Sequence, residues 1–261
     1  MFARRPALGR RGHPNDRSYS MILLFTDFGS EGPYLGCVEA VLRQTAPGID
    51  VVNLVSDAPV GDPESSSYLL AALVSYLPSG CVVLAVVDPD VGGERKAMVL
   101  EADGRWFVGP DNGLLNTVAL RARERGWSEI EWRPGTLSAS FHGRDLFAPI
   151  AARIAKRDFR WERRATPEKD LSHWPADVDR IVYFDAYGNA FTGRRYALHL
   201  AGKTLFVNGY ALPEALTFCS VPAGQPFWYR NSLDVVEVAV NRDSARRALG
   251  LEVGMPIRFA E

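Results

Sequence analysis

The sequence has 261 residues, of which 47% are hydrophobic and 23% charged, with a formal net charge of −1. This length is sufficient for one large domain or two modest ones, and the composition is that of an ordinary globular protein. The balanced charge argues against nucleic-acid and membrane-surface partners, and no apolar run approaches the ~20 residues that span a bilayer. Three widely spaced cysteines form neither a disulfide framework nor a zinc pattern, which suits a reducing cytoplasm.

The first twenty residues differ in composition from the rest. They carry five arginines against one acidic residue and lack the apolar segment of a secretory signal. Their prolines and glycines would also break the amphipathic helix of an organelle-targeting peptide. We therefore expect residues 1–20 to be a disordered extension, or a non-native one produced by an upstream start codon, and the fold to begin at Met21.

The next part of the chain alternates short apolar runs with segments of helical periodicity. The runs MILLFTDF, DVVNLV and CVVLAVVDPD predict buried strands, and Asp62-Pro63 has the residue types that begin a helix. Shorter strands at KAMVLEA and RWFVG, a helix over about 112–125 and another beginning at Asp145 continue the pattern. Strands that alternate with helices predict an α/β sandwich with a mostly parallel sheet over residues 21–160.

The pattern changes after residue 160. Residues 161–178 are charged, contain two prolines and show no apolar period, so we expect a linker. Residues 179–261 contain short strand-like runs separated by glycine and proline, with a hairpin expected within LHLAGKTLFV. The sequence thus predicts a smaller, all-β, barrel-like domain at the C-terminal end.

Acidic turns follow three of the predicted strands of the first domain. They contain Asp27 in TDFG, Asp88 and Asp90 in VVDPDVGG, and Asp111 in VGPDNG. Ligands of open α/β sheets bind at the carboxyl ends of strands, although aspartate beside glycine or proline is also an ordinary turn former. Phosphate-binding glycine loops and the GxSxG nucleophile motif are both absent, which argues against nucleotide cofactors and acyl-enzyme chemistry.

A family resemblance rests on six short sequence motifs, which occur along the chain in this order: TDFG, VVDPDVGG, VGPDNGLL, FHGRD, FDAYGN and NSLDVVEVAV. Together they resemble the S-adenosyl-L-methionine (SAM) hydrolases, also called SAM hydroxide adenosyltransferases, which are related to the enzymes that make 5′-halogenated deoxyadenosines. The resemblance extends over residues 21–261. It implies an N-terminal α/β domain, a C-terminal β domain and a homotrimer that binds SAM between domains of neighbouring subunits.

The resemblance also implies catalytic residues. It assigns a triad of Asp88, Arg95 and His142, which would fix a water molecule and help to remove its proton. A guanidinium beside a carboxylate and an imidazole can tune both of their pKa values. Considered by residue type alone, Asp88 and Arg95 could instead be an ion pair that braces a loop, with His142 a polar group at a helix start.

A second set of residues is implied for substrate binding. Asp27 matches the carboxylate that holds the two ribose hydroxyls, and Asp185 matches the group that binds the methionine ammonium. The remaining assignments are Tyr187 stacking near the base, Asn189 bonding the adenine or ribose, and Ser232, Glu237 and Val240 holding the amino acid or the adenine edge. By residue type alone, Tyr187 could equally be an aromatic residue of the β-domain core.

The expected function is the hydrolysis of SAM to adenosine and L-methionine by attack of water at C5′, without a cofactor or a metal. Three alternatives stay open. A halide-using adenosyltransferase is disfavoured by repulsion between the halide and Asp88. A SAM- or adenosine-binding protein without catalysis and a metal-dependent hydrolase with Asp27, Asp88, Asp111 and His142 as ligands are the others, although a second histidine at ligand spacing is missing.

Overall fold

The computed structural model describes residues 21–260, so the expectation for residues 1–20 lies outside the described part of the chain. The first domain contains the strands β1 (Met21–Thr26), β2 (Asp50–Val55), β3 (Val82–Val86), β4 (Ala97–Ala102), β5 (Arg105–Pro110), β6 (Arg125–Ile130) and β7 (Arg163–Thr166). Its helices are α1 (Tyr34–Thr45), α2 (Pro63–Leu73), α3 (Asn116–Arg121) and α4 (Ala148–Ala155), the last preceded by a π-helical turn over Gly143–Phe147.

The seven strands form one sheet in the order β2-β1-β3-β5-β4-β6-β7. Strands β2, β1, β3 and β5 pair in parallel, whereas β4 is antiparallel to both of its neighbours and β7 is antiparallel to β6. Five of the seven strands therefore run in the same direction. This arrangement confirms the predicted mostly parallel sheet and brings the carboxyl ends of β1, β3 and β5 to one edge.

Helices cover both faces of this sheet. Because successive side chains of a strand point to opposite faces, Ile22 and Leu24 of β1 pack in the core with α1 and α4. Leu23 and Phe25 pack in the core on the other face, with α2 and α3. The side chain of Asp62 accepts a hydrogen bond from Ser65 N at 2.9 Å and so caps α2, as its residue type predicted.

Two segments of the first domain differ from the sequence prediction. The predicted helix over 112–125 is shorter, α3, and the strand β6 follows it; a run of arginine and glutamate around residue 123 obscured this strand's pattern. The segment 161–178, expected to be only a linker, contributes β7 to the sheet edge and buries Trp161 and Leu171. Charged side chains are usual on an edge strand, which explains why β7 resembled a linker.

The second domain is built from two small antiparallel sheets. Its strands are β8 (Ile181–Phe184), β9 (Ala190–Arg195), β10 (Leu205–Val207), β11 (Tyr210–Leu212), β12 (Pro226–Arg230), β13 (Val235–Val240) and β14 (Ile257–Phe259), and a short helix α5 (Ala245–Ala248) follows β13. The sheets, in the orders β12-β13-β9-β8 and β11-β10-β14, enclose one core around the buried Trp228. The smaller all-β domain predicted from the sequence is confirmed.

The hairpin predicted within LHLAGKTLFV is wrong. Leu198–Leu200 forms a 3₁₀ turn, and β10 pairs instead with β11 across Asn208-Gly209. Both turn residues have positive φ angles, 44° and 81°, as a two-residue type I′ turn requires. The Asn-Gly pair between two apolar runs is the sequence signal for this hairpin.

Candidate active site

Two aspartates lie at the carboxyl edge of the parallel strands. Asp27 directly follows β1, and Asp88 follows β3 by two residues; the two strands are neighbours in the sheet. Asp27 Oδ2 accepts a hydrogen bond from Gly61 N at 2.9 Å, which orients its carboxylate. Burial raises the pKa of Asp27, and the negative charge of Asp88 contributes in the same direction. The sheet therefore brings together two carboxylates that are 61 residues apart in sequence.

Arg95 binds Asp88 through two guanidinium nitrogens. Its Nε lies 2.8 Å from Oδ1 and 2.9 Å from Oδ2 of Asp88, and its Nη2 also contacts Oδ2. The pair is well protected, because the side chains of Arg95 and Asp88 are only 8% and 5% exposed. The guanidinium also lies over the ring of Phe147, 5.3 Å from its centroid, and this contact fixes its plane.

His142 completes the predicted triad. Its Nδ1 lies 3.0 Å from Nη2 of Arg95. A guanidinium offers only donors, so Nδ1 must accept this hydrogen bond and the neutral ring must carry its hydrogen on Nε2. Burial lowers the pKa of His142, and the positive charge of Arg95 lowers it further. The structure thus brings Asp88, Arg95 and His142 together with a neutral imidazole whose Nε2–H remains free to donate.

A close backbone approach joins the two loops that carry this triad. Gly92, in the loop between Asp88 and Arg95, has a φ of +84°, and a Cβ placed on it would lie 2.4 Å from the carbonyl oxygen of Ala139. Ala139 belongs to the loop that leads into His142. Only glycine allows the loops to approach this closely, since any side chain would collide with backbone.

The C-terminal domain contains a cavity of about 670 Å³, and several of the substrate-binding residues predicted in this domain line it. Asp185, Tyr187 and Asn189 reach it from the turn between β8 and β9, and Val240 reaches it from the end of β13. The other lining residues are Phe218, Tyr229, Asn241, Arg242, Asp243, Ser244 and Arg247.

Backbone and side-chain donors fix the carboxylate of Asp185. Its Oδ1 accepts from the backbone N–H groups of Tyr187 and Asn189, both at 2.9 Å, and its Oδ2 accepts from Asn189 Nδ2 at 2.9 Å. Asn189 is buried, whereas Tyr187 is 81% exposed and so is not an aromatic residue of the core. Asp185 and Asn189 are therefore held as one rigid pair at the cavity wall.

Two of the binding residues predicted in the C-terminal domain do not line the cavity. Glu237 is 2% exposed, and its carboxylate is enclosed by Tyr229 and Asn231. Ser232 lies in the exposed turn between β12 and β13, at the opposite end of β13 from Val240, and its carbonyl accepts a hydrogen bond from Tyr76. The structure therefore places Glu237 behind the cavity and Ser232 away from it.

Each of the two domains matches a known domain family. Residues 22–163 match the SAM hydroxide adenosyltransferase N-terminal domain, and residues 179–258 match the SAM hydroxide adenosyltransferase C-terminal domain. The chain belongs to the SAM hydroxide adenosyltransferase family. The resemblance seen in the six sequence strings is thereby confirmed.

Relatives in this family extend over nearly the whole chain. A protein of Thermus thermophilus named (R)-S-adenosyl-L-methionine hydrolase is 41% identical over 257 residues, which are 91% of this chain and 98% of the relative. A protein of Salinispora tropica with the same name is 32% identical over 89% of this chain and 95% of its own length. A crystal structure of an uncharacterized conserved protein from Thermotoga maritima superposes with a TM-score of 0.81 at 27% identity, covering 92% of this chain and all of that one.

Sequence reasoning missed the aromatic wall of the cavity in this member of the family. Phe218 and Tyr229 line it, with ring centroids 5.5 Å apart, and Phe227 packs against both. The available signal was the string PFWYR, in which alternate residues of one strand point to opposite faces. Trp228 accordingly enters the core while its neighbour Tyr229 faces the cavity.

Two of the three carboxylates proposed as metal ligands have basic partners. Asp88 is bound by Arg95, and Asp111 Oδ1 accepts from Lys169 Nζ at 2.7 Å. Within residues 21–260, no group of three or more histidine, cysteine or acidic side chains is arranged to hold a metal ion. The two carboxylates thus serve as ion-pair partners in this fold.

Proposed function

We propose that this chain hydrolyses (R)-S-adenosyl-L-methionine to adenosine and L-methionine. The observation that carries the proposal is the buried Asp88–Arg95–His142 cluster in a chain whose two domains both belong to the SAM hydroxide adenosyltransferase family. The hydrolase name of relatives that align over about nine-tenths of the chain supports the same reaction and the R configuration at sulfur.

The reaction needs help at the nucleophile and not at the leaving group. The water oxygen forms a bond to C5′ as the C5′–S bond breaks, and sulfur keeps the electron pair of the broken bond. The sulfonium thus leaves as a neutral thioether, which requires no general acid. The water must lose one proton and must be aligned opposite the C5′–S bond, and both needs can be met by fixed polar side chains.

Within the triad we assign different roles to the three side chains. The Nε2–H of His142 donates to the water oxygen and orients it, because Nδ1 is occupied by Arg95. The carboxylate of Asp88 receives the proton on Oδ1, which accepts a hydrogen bond only from Nε of Arg95 and keeps one lone pair, whereas Oδ2 accepts from both Nε and Nη2. Arg95 is a positioning residue: its guanidinium binds both Asp88 and His142 and fixes their relative positions.

We propose that the substrate lies between two sets of residues: Asp27 with the triad in the first domain, and the residues that line the cavity in the second domain. Asp27 holds the ribose hydroxyls beside the triad, and Asp185 binds the methionine ammonium. Tyr187, Asn189 and Val240 contact the adenine and ribose from the second domain. Ser232 is not included, because it lies at the far end of β13 from the cavity.

We further propose a homotrimer in which neighbouring subunits complete each site. None of the hydrogen bonds or ion pairs described within residues 21–260 links Asp27, Asp88, Arg95 or His142 to the cavity that holds Asp185. As the family resemblance implies, one copy then supplies the half-site with Asp27 and the triad, and a neighbouring copy supplies the half-site with Asp185.

Mixing two inactive variants tests this assembly. Subunits with His142→Ala and subunits with Asp185→Ala, produced together at equal amounts, should regain activity that neither variant has alone. About one site in four would combine two intact half-sites if sites form between subunits and assembly is random. Mixtures that stay as inactive as the separate variants would contradict a shared site.

The reaction itself is tested by product analysis in isotopically labelled water. Purified protein incubated with SAM in H₂¹⁸O should release methionine and adenosine with the heavy oxygen at the 5′ position. The same yield is expected after exhaustive chelation, since the proposed chemistry uses no metal. Formation of 5′-chloro-5′-deoxyadenosine in added chloride would identify a halide-using enzyme instead, and intact bound SAM would identify a protein that only binds it.

We also propose a cytoplasmic location. The three cysteines, Cys37, Cys81 and Cys219, are all free thiols, as is usual in a reducing compartment. None of the helices within the described residues is long and apolar enough to cross a membrane. Fractionation of the native host cells with an antibody against this chain tests the proposal.

A further inference from the structure

A buried carboxylate lies directly behind the wall of the C-terminal cavity. Glu237 Oε1 accepts a hydrogen bond from the hydroxyl of Tyr229 at 2.7 Å, and its Oε2 accepts one from Asn231 Nδ2 at 2.7 Å. Glu237 is 2% exposed and cannot touch a ligand, whereas Tyr229 lines the cavity. Any effect of Glu237 on a ligand must therefore pass through Tyr229.

The amide of Asn231 cannot reverse its orientation without losing other bonds. Its Oδ1 accepts from the backbone N–H groups of Leu233 at 2.9 Å and Val235 at 3.1 Å. The Nδ2 donors are consequently directed at Oε2 of Glu237. A proton bound to Glu237 is excluded from Oε2, which already faces a donor, and must lie on Oε1, facing Tyr229.

Two hydrogen-bond patterns follow from this constraint. When Glu237 is ionised, the hydroxyl of Tyr229 donates to Oε1, and its oxygen presents only lone pairs to the cavity. When Glu237 is protonated, Oε1–H donates to the Tyr229 oxygen, and the hydroxyl hydrogen of Tyr229 must turn away from Glu237. Protonation of a buried group thus changes the cavity wall from an acceptor to a donor.

Both states are accessible near neutral pH. Burial raises the pKa of Glu237 to about 7, and the negative charge of Asp185 contributes to the rise, whereas the bonds from Tyr229 and Asn231 oppose it. The groups that face Glu237 are the neutral Tyr229 on β12, the neutral Asn231, the apolar Phe191 opposite it on β9, and the acidic Asp185. None of them is a cation that would hold the carboxylate ionised.

We propose that Glu237 is a positioning residue whose protonation state decides whether Tyr229 offers the substrate a hydrogen-bond acceptor or a donor. This inference rests on the proposed function, since it takes SAM as the ligand of the cavity. The SAM groups that suit an acceptor are N–H donors, namely the methionine ammonium and the 6-amino group of adenine. The ionised state of Glu237 therefore favours binding.

Glu237→Gln imitates the protonated state. The amide oxygen that this change introduces faces the fixed donors of Asn231, so the new NH₂ group faces Tyr229 and forces the hydroxyl to turn. For the wild type, the KM for SAM should rise ~3- to 10-fold as the pH falls from about 7.5 to 5.5, the size expected for one hydrogen bond. Over the same range Glu237→Gln should show a raised KM that lacks this rise near pH 7, with a smaller effect on kcat. Tyr229→Phe should also lose the pH dependence.

Parallel measurements identify which N–H donor of SAM binds Tyr229. They also distinguish a failure of this inference from a failure of the proposed function. If calorimetry shows a pH dependence of adenosine affinity near pH 7 that Glu237→Gln lacks, the donor is the 6-amino group; if only SAM affinity shows it, the donor is the ammonium. A KM that varies with pH equally in wild type and Glu237→Gln overturns the proposal. Absence of adenosine production by the wild type would reject the proposed function instead.

A ligand-free measurement tests the titration itself. In protein labelled with ¹³C at glutamate carboxyls, the resonance that disappears in Glu237→Gln should titrate near neutral pH. Titration in the ordinary range of glutamate, around pH 4 to 5, would overturn the inference whatever the substrate proves to be. Thermal unfolding of each variant over the same pH range shows whether the KM effects arise in folded protein.

Discussion

His142→Ala, Asp88→Asn and Arg95→Ala should each lower kcat for SAM hydrolysis by ~10²- to 10⁴-fold, while the affinity for adenosine changes little. The reason is that these side chains act on the water and not on the nucleoside. His142 supplies the orienting Nε2–H, Asp88 the proton acceptor and Arg95 the bonds that hold both in place. Turnover, adenosine affinity by calorimetry and thermal unfolding should be measured on all three.

Arg144→Ala is the matched control for Arg95→Ala. Arg144 belongs to the same FHGRD string and also pairs with an aspartate, Asp145, but it lies outside the triad and is more than one-third exposed. Its removal should leave kcat within about twofold of the wild type, as for other exposed ion pairs. A triad variant that is well folded and turns over like the wild type would contradict the catalytic assignment.

The triad should also act as a unit. Once one member is lost, the water is no longer held in the reactive position, so removal of a second member has little further effect. Double variants should therefore lose much less activity than the product of the two single effects. Multiplicative losses would mean that the three side chains act independently.

The pH dependence of kcat has a definite sign. Because burial and Arg95 lower the pKa of His142, the ring stays neutral in solutions where an ordinary histidine is half protonated. Protonation would place a hydrogen on Nδ1 against the donors of Arg95 and disrupt the triad. The acid limb of kcat should therefore lie below pH 6.5, whereas the Glu237 effect should appear in KM and closer to pH 7.

The sequence allowed much of the fold to be predicted, because the relevant signals are local. The continuous apolar run of β1 and the Asp62 cap of α2 need only a few neighbouring residues. Strand β7 was missed because an edge strand tolerates charged side chains, and β6 was missed because arginine and glutamate residues precede it. Their pairing partners and not their composition make both of them strands. The Asn208-Gly209 hairpin, in contrast, carried a readable signal.

The candidate site was predictable only in part for a related reason. Acidic turns at strand ends indicate where a ligand binds, but the family resemblance was needed to connect Asp88 with His142, 54 residues away. Residue matching could not distinguish a side chain that lines the cavity from one behind it. Glu237 matched the family pattern, yet only the bonds to Tyr229 and Asn231 reveal that it is enclosed.

Asp27→Asn should weaken binding of adenosine and SAM alike, because both carry the same ribose diol. A carboxylate accepts from both hydroxyls, whereas the amide has one acceptor oxygen, which Gly61 N already uses. Loss of a charge-assisted pair of hydrogen bonds costs roughly 2–4 kcal/mol, or about 30- to 700-fold in Kd. The effect on kcat should be smaller, since the diol is bound equally in the substrate and in the transition state.

Asp111→Asn is the control for this change, and pH provides a second test of it. Asp111 follows β5 at the same edge of the sheet, but its carboxylate is bound by Lys169, so its replacement should leave adenosine affinity unchanged.

The pH dependence of adenosine affinity is the second test. Burial raises the pKa of Asp27, and protonation removes acceptor capacity from its carboxylate. The adenosine affinity that depends on Asp27 is therefore present at higher pH and is lost as the pH falls through that raised pKa. Asp27→Asn should lose this dependence. Equal adenosine affinity in wild type and a folded Asp27→Asn would make Asp27 a turn residue, held only by its bond to Gly61.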